Sequence, residues 1–150
     1  MNTNDQELQI LLVEDNPSDA ELTMDALRES GLVNKVQWVK DGAEALDVLF
    51  GQGAASAATS HRLKLILLDL RLPRVDGIEV LRAVRADERT HRLPVVVLTS
   101  SREEVDVVRA YDLGANSYLV KPVESENFMK AVGELGLYWM LLNKLPGEIK

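Results

Sequence analysis

The chain has 150 residues, the length of one ordinary domain, and 46% of them are apolar, enough to build a single core. Acidic residues outnumber basic ones 24 to 17, and the net charge of −7 argues against nucleic acid or an anionic membrane surface as a partner. There are no cysteines, which excludes disulfides, thiolate zinc sites and cysteine nucleophiles.

The N-terminus, MNTNDQELQ, is polar and lacks the apolar core of a signal peptide. No apolar run approaches the length needed to cross a bilayer. The expectation is a cytoplasmic protein with a polar tail over residues 1–8, one domain over 9–143 and a short tail over 144–150.

Strand-like apolar runs alternate with helix-like periodicity along this domain. The first strand is predicted at Ile10–Val13. A helix follows in NPSDAELTMDALRESG, with Asn16 as N-cap, Pro17 at the first helical position, Ala20, Met24 and Leu27 on one face, and Gly31 as the stop. The second strand is Val36–Val39. Its helix opens at Asp41 with Glu44 three residues on, buries Ala45, Leu46 and Leu49, and ends at Gly51. Residues 51–62 are small and polar and read as a surface loop.

The third strand, Leu65–Leu68, precedes a helix that carries Ile78, Leu81 and Val84 or Arg85 at helical spacing. The fourth, Val95–Leu98, leads to a helix capped at Ser101, with Glu104, Val105 and Val108, closed at Gly114. The fifth, Ser117–Val120, leads to a helix that starts at Ser125 and presents Phe128, Val132, Leu135, Trp139 and Leu142. Strand–helix alternation with short loops implies an α/β fold: a doubly wound parallel sheet with helices on both faces. The chain ends soon after the fifth helix, so no attached output domain is expected. Arg82, Arg85 and Arg89 read as a solvated helix face, and His61 and His91 as surface residues.

One residue interrupts this pattern. In LILLDLRLPRVDG, a strand that reads as wholly buried runs into Asp69. A buried carboxylate is costly unless paired or coordinated, so either Asp69 leaves the core at the strand's end or a neighbour compensates it. Ligands of open α/β sheets bind beyond the carboxyl ends of the strands. Those ends carry Glu14 and Asp15, Asp69, Thr99 and Lys121. Each has a plainer reading as a helix-terminus acid, a cap or a surface lysine, but together they converge on one edge. Three carboxylates there call for a divalent cation, and Mg2+ with a few carboxylates and a phosphate ligand fits. Lys121 and Thr99 would then serve a phosphoryl oxygen, and Asp69 would be a nucleophile able to form an aspartyl phosphate.

The set LLVEDNPSD, LILLDLRLPRVDG, PVVVLTSS and GANSYLVKP resembles the receiver domain of two-component response regulators. The loop before the third strand and the ending YWMLLNKLPG resemble the single-domain regulators that partner phytochrome-type histidine kinases. The resemblance implies a five-stranded (βα)5 flavodoxin-like receiver fold with strand order 2-1-3-4-5. It implies that Asp69 is the phosphoacceptor, with Asp15 a direct Mg2+ ligand, Glu14 acting through water and the Arg71 backbone carbonyl completing the protein ligands. Thr99 becomes the switch hydroxyl, Tyr118 the switch aromatic, and Lys121 the phosphoryl contact, with a cis Lys121–Pro122 peptide.

The implied function is a stand-alone regulator that takes phosphate from a sensor histidine kinase and signals through protein contacts. A dehalogenase-like phosphatase would want an acid two residues past the nucleophile, where Arg71 stands. A flavin carrier would want a phosphate-cradling loop where EDNPSD places carboxylates. A degenerate receiver that only binds is disfavoured by the intact acid set. Arg71 is expected to pair with Glu14 or to screen the phosphoryl group. The run Leu137, Tyr138, Trp139, Met140, Leu141 and Leu142 is apolar on every side of its helix, which suggests a kinase contact or a homodimer through the fourth helix, fifth strand and fifth helix, the plainer reading being cover by the tail NKLPGEIK.

Overall fold

The computed structural model describes residues 9–32, 36–51, 63–99, 110–121 and 126–138, apart from the side chains of Thr99, Val120 and Leu137. Five strands, β1 (Ile10–Val13), β2 (Val36–Val39), β3 (Leu65–Leu68), β4 (Val95–Thr99) and β5 (Ser117–Val120), form one sheet in the order β2-β1-β3-β4-β5. Every neighbouring pair is parallel. The helices are α1 (Pro17–Glu29), α2 (Gly42–Phe50), α3 (Gly77–Ala86), α4, of which residues 110–112 are described, and α5 (Glu126–Leu137). Among the described residues, no helix is long and apolar enough to cross a membrane.

The strands alternate their side chains between two apolar layers, as the period of two requires. Ile10 and Leu12 of β1, Leu65 and Leu67 of β3, and Val96 and Leu98 of β4 pack with Ala20, Leu27, Phe128 and Val132 of α1 and α5. Leu11 and Val13, Ile66 and Leu68, and Val95 and Val97 face Ala45, Leu49, Ile78, Leu81 and Val84 of α2 and α3. Both faces of the central strands are covered, which is why their sequences are continuously apolar.

Local chemistry sets the helix ends. The Asn16 side chain accepts from the Asp19 N–H at 3.1 Å, with Pro17 inside the first turn. At the other end Gly31 takes φ 77°; its N–H donates to Arg28 and that of Leu32 to Leu27, the paired bonds of a Schellman stop. Asp41 caps α2 through the Glu44 N–H at 2.7 Å, while Glu44 reaches back to the N–H of Lys40, one residue earlier than in a standard capping box.

One surface expectation is overturned. Arg85 is not a solvated helix residue: its guanidinium donates to the carbonyls of Gly114 (2.6 and 3.1 Å), Leu93 (2.7 Å) and His91 (3.2 Å), and to the Asn116 side chain. Burial lowers its pKa. It ties α3 to the entrance of β4 and to the turn before β5. Helical spacing left Arg85 on the border of the apolar face, and only the fold brings those carbonyls over it. The predicted caps at Ser101 and Ser125, residues Glu104, Val105 and Val108, His61 and the cis Lys121–Pro122 bond involve positions outside the described residues.

Candidate functional site

The sheet register extends past the strand ends and assembles the acids. The Glu14 N–H donates to the Val39 carbonyl at 3.1 Å, and the Asp69 N–H donates to the Val13 carbonyl at 3.0 Å. The next residues of β1 and β3 therefore stand side by side at the carboxyl edge. Glu14 is 1% exposed and Asp69 5%, while Asp15 is exposed. Carboxylate oxygens of Glu14, Asp15 and Asp69 lie within 4.8 Å of one another.

Lys121, at the end of β5, compensates them. Its Nζ lies 2.7 Å from Glu14 Oε1, 2.8 Å from Asp19 Oδ2 and 2.9 Å from Asp69 Oδ2. The other oxygens are also occupied: Glu14 Oε2 accepts from the Asn16 N–H at 3.1 Å, and Asp69 Oδ1 from the Arg71 N–H at 3.0 Å. Lys121 thus stands as a cation beside Glu14, where the sequence leads one to expect Arg71. Arg71 is exposed, and its backbone turns in toward Asp69.

Burial pushes the Glu14 carboxyl up to about 7; hydrogen bonding to Lys121 pulls the other way, and the neighbouring Asp69 charge raises it further. Burial alone would pull Lys121 down, but its hydrogen bonds to Asp19, Glu14 and Asp69 prevail and raise its pKa. Three acids share one ammonium and a fourth, Asp15, stands close to Glu14 and Asp69, so the ionised cluster is short of positive charge. Three oxygen donors within reach of one another, two of them buried, fit a hard divalent cation.

Two close approaches hold the edge in shape. A Cβ on Gly77 would stand 2.3 Å from the Asp69 carbonyl oxygen and 2.5 Å from the Leu70 Cα, so only glycine lets α3 begin there. A Cβ on Gly42 would stand 1.8 Å from the Val75 carbonyl oxygen. Between them, the Val75 N–H bonds to the Pro73 carbonyl at 2.8 Å around Arg74, whose φ is 67°. This γ-turn of the rarer hand stores strain beside the site. The Arg74 guanidinium bridges to Asp41 Oδ2 at 3.2 Å and links the β3–α3 and β2–α2 loops.

Glu14, Asp15, Asp69 and Lys121 therefore come together as expected. Thr99 closes β4 in register with Val120, next to β5, but its hydroxyl lies outside the description. Tyr118 is half-buried against the α2/α3 layer. Tyr138 is 46% exposed; the Leu137 side chain and Trp139, Met140, Leu141 and Leu142 lie outside the described residues. Sequence reasoning missed Asp19 and Trp38. Asp19 lies in the first turn of α1, where acids are common for the helix dipole alone. Trp38, on β2, donates its indole N–H to the Glu14 carbonyl at 2.8 Å and pins the end of β1; nothing in its strand pattern signals that.

The parallel sheet, the acid cluster and the facing lysine are the architecture of a receiver domain. The chain belongs to the response regulator receiver domain family, whose model matches residues 10–133. It is 43% identical to the probable methanogenesis regulatory protein FilR2 of Methanothrix harundinacea (strain 6Ac), over 92% of this chain and 87% of that one. Among solved structures it resembles the phosphorylated cyanobacterial phytochrome response regulator RcpA, with TM-score 0.82 and 38% identity, covering 93% of this chain and 99% of that one. It also resembles the Mn2+-bound response regulator Rcp1 of Synechocystis sp., with TM-score 0.79 and 39% identity, covering 91% and 97%.

Proposed function

We propose that the chain is a stand-alone response regulator that accepts a phosphoryl group on Asp69 from the phosphohistidine of a sensor kinase. A kinase of the phytochrome type is favoured by the likeness to RcpA. The observation that carries this reading is Lys121 Nζ at 2.9 Å from Asp69 Oδ2, beside the Glu14–Asp15 pair.

In the transfer, an Asp69 carboxylate oxygen attacks phosphorus. The O–P bond forms, the P–N bond breaks, and the imidazole nitrogen keeps the electron pair and takes a proton from solvent. Asp69 is held in line by the Arg71 N–H and Lys121, so little reorganisation precedes attack. Lys121 then follows the new charge as a phosphoryl contact. Asp15, Asp69 and the Arg71 carbonyl would hold Mg2+, with Glu14 acting through water; the ion supplies positive charge to the phosphoryl oxygens. The added charge would recruit Thr99 and Tyr118 and bias the face formed by α4, β5 and α5, where a partner or second copy docks.

The test is the intact mass after incubation with Mg2+ and a small phosphodonor. The wild type should gain one base-labile phosphate, and Asp69→Asn none. A wild type that gains nothing would favour a purely binding receiver. Steady release of phosphate from many esters would favour a phosphatase.

A further inference from the structure

Asp19 is the unassigned member of the cluster. It stands on the first turn of α1, outside the three acids positioned for a cation, yet its Oδ2 is as close to Lys121 Nζ (2.8 Å) as those of Glu14 and Asp69. An ammonium has three N–H donors. Here Glu14, Asp19 and Asp69 engage all three.

The same ammonium is needed by a phosphoryl group on Asp69. Phosphorylation replaces a singly charged carboxylate by a more highly charged acyl phosphate. Asp19 therefore has two effects of opposite sign. It leaves the site one charge more negative, which attracts a divalent cation. It also shares Lys121 and repels the incoming phosphoryl charge. Its carboxylate is mostly shielded, with 19% of the side chain exposed, so water screens it only in part.

We propose that Asp19 is a positioning residue that acts through Lys121 and sets the charge balance of the site, favouring the cation-loaded, unphosphorylated state. This inference rests on the phosphoacceptor reading. It deepens that reading by naming the residue that sets how readily the site accepts a phosphoryl group.

The experiment measures two affinities on the full chain: Mg2+ alone, followed by the change in tryptophan fluorescence, to which Trp38 beside Glu14 contributes, and beryllofluoride, a tetrahedral phosphoryl analogue, at saturating Mg2+. For Asp19→Asn the dissociation constant for Mg2+ should rise about fivefold and that for beryllofluoride should fall by a similar factor. Asp19→Ser, which removes the charge with a different shape, should give the same two signs. Loss of both affinities would mean that Asp19 only supports the local shape, and no change in beryllofluoride binding would mean that it does not share Lys121; either result overturns the proposal. A wild type that binds no beryllofluoride would instead sink the phosphoacceptor reading itself.

Discussion

Lys121 Nζ and Asp69 Oδ2 stand 2.9 Å apart although 52 residues separate them in the chain. The contact exists because β5 and β3 end at the same edge of the sheet, with β4 between them. The side chains are 10% and 6% exposed, so neither charge is well solvated without the other.

Removing that ammonium should therefore be costly. Lys121→Met should destabilise the metal-free protein by about 3 kcal/mol, because it leaves buried carboxylates uncompensated. Urea denaturation with and without Mg2+ checks this. Mg2+ should recover part of the loss, since a cation can replace the missing charge.

Glu14 predicts an unusual pH dependence. Its folded-state pKa is raised from 4.5 to about 7 by burial. Between those values the folded state holds a proton that the unfolded chain has released. Stability of the metal-free protein should thus be greatest below pH 4.5 in this contribution, fall as pH rises, and level off above about 7. The slope should not exceed about 1.4 kcal/mol per pH unit. Glu14→Gln should flatten it in the same denaturation series.

Gly77 tests whether the turn after β3 must pass so close to α3. Gly77→Ala forces a Cβ against the Asp69 carbonyl oxygen, at 2.3 Å in the present geometry. Backbone has to move, at a cost of about 2 kcal/mol or more. Because the displaced strand end carries Asp69, phosphate uptake should slow beyond what the melting temperature explains.

Arg85 should resist its conservative replacement. Arg85→Lys keeps the charge but loses the planar fork that reaches Gly114 and Leu93 together. Thermal unfolding should show a loss of about 2 kcal/mol, as orphaned carbonyls are left behind. Arg82→Lys, on an exposed position of the same helix, should be near neutral and serves as the control.

Much of this was legible beforehand. Strand positions followed from short apolar runs, and four of the five strands have the predicted ends; β4 runs one residue further, to Thr99. Asn16 and Asp41 were readable as caps because capping is settled by neighbours three residues apart. Arg85 was misread because its partners come from outside its own helix, in the chain before β4 and around Gly114.

The sequence by itself determined the alternation of strands and helices, the two-sided burial of the central strands, and the presence of acids and a lysine at successive strand ends. These depend on periodicity and on residues adjacent in the chain. The tertiary structure alone decided how the charges are shared: that Lys121 serves Glu14, Asp19 and Asp69 at once, that Trp38 holds the Glu14 carbonyl, and that the Glu14 carboxyl is raised by burial. Burial and Coulomb energies depend on distance through space, and that distance is set by sheet order and register rather than by position along the chain.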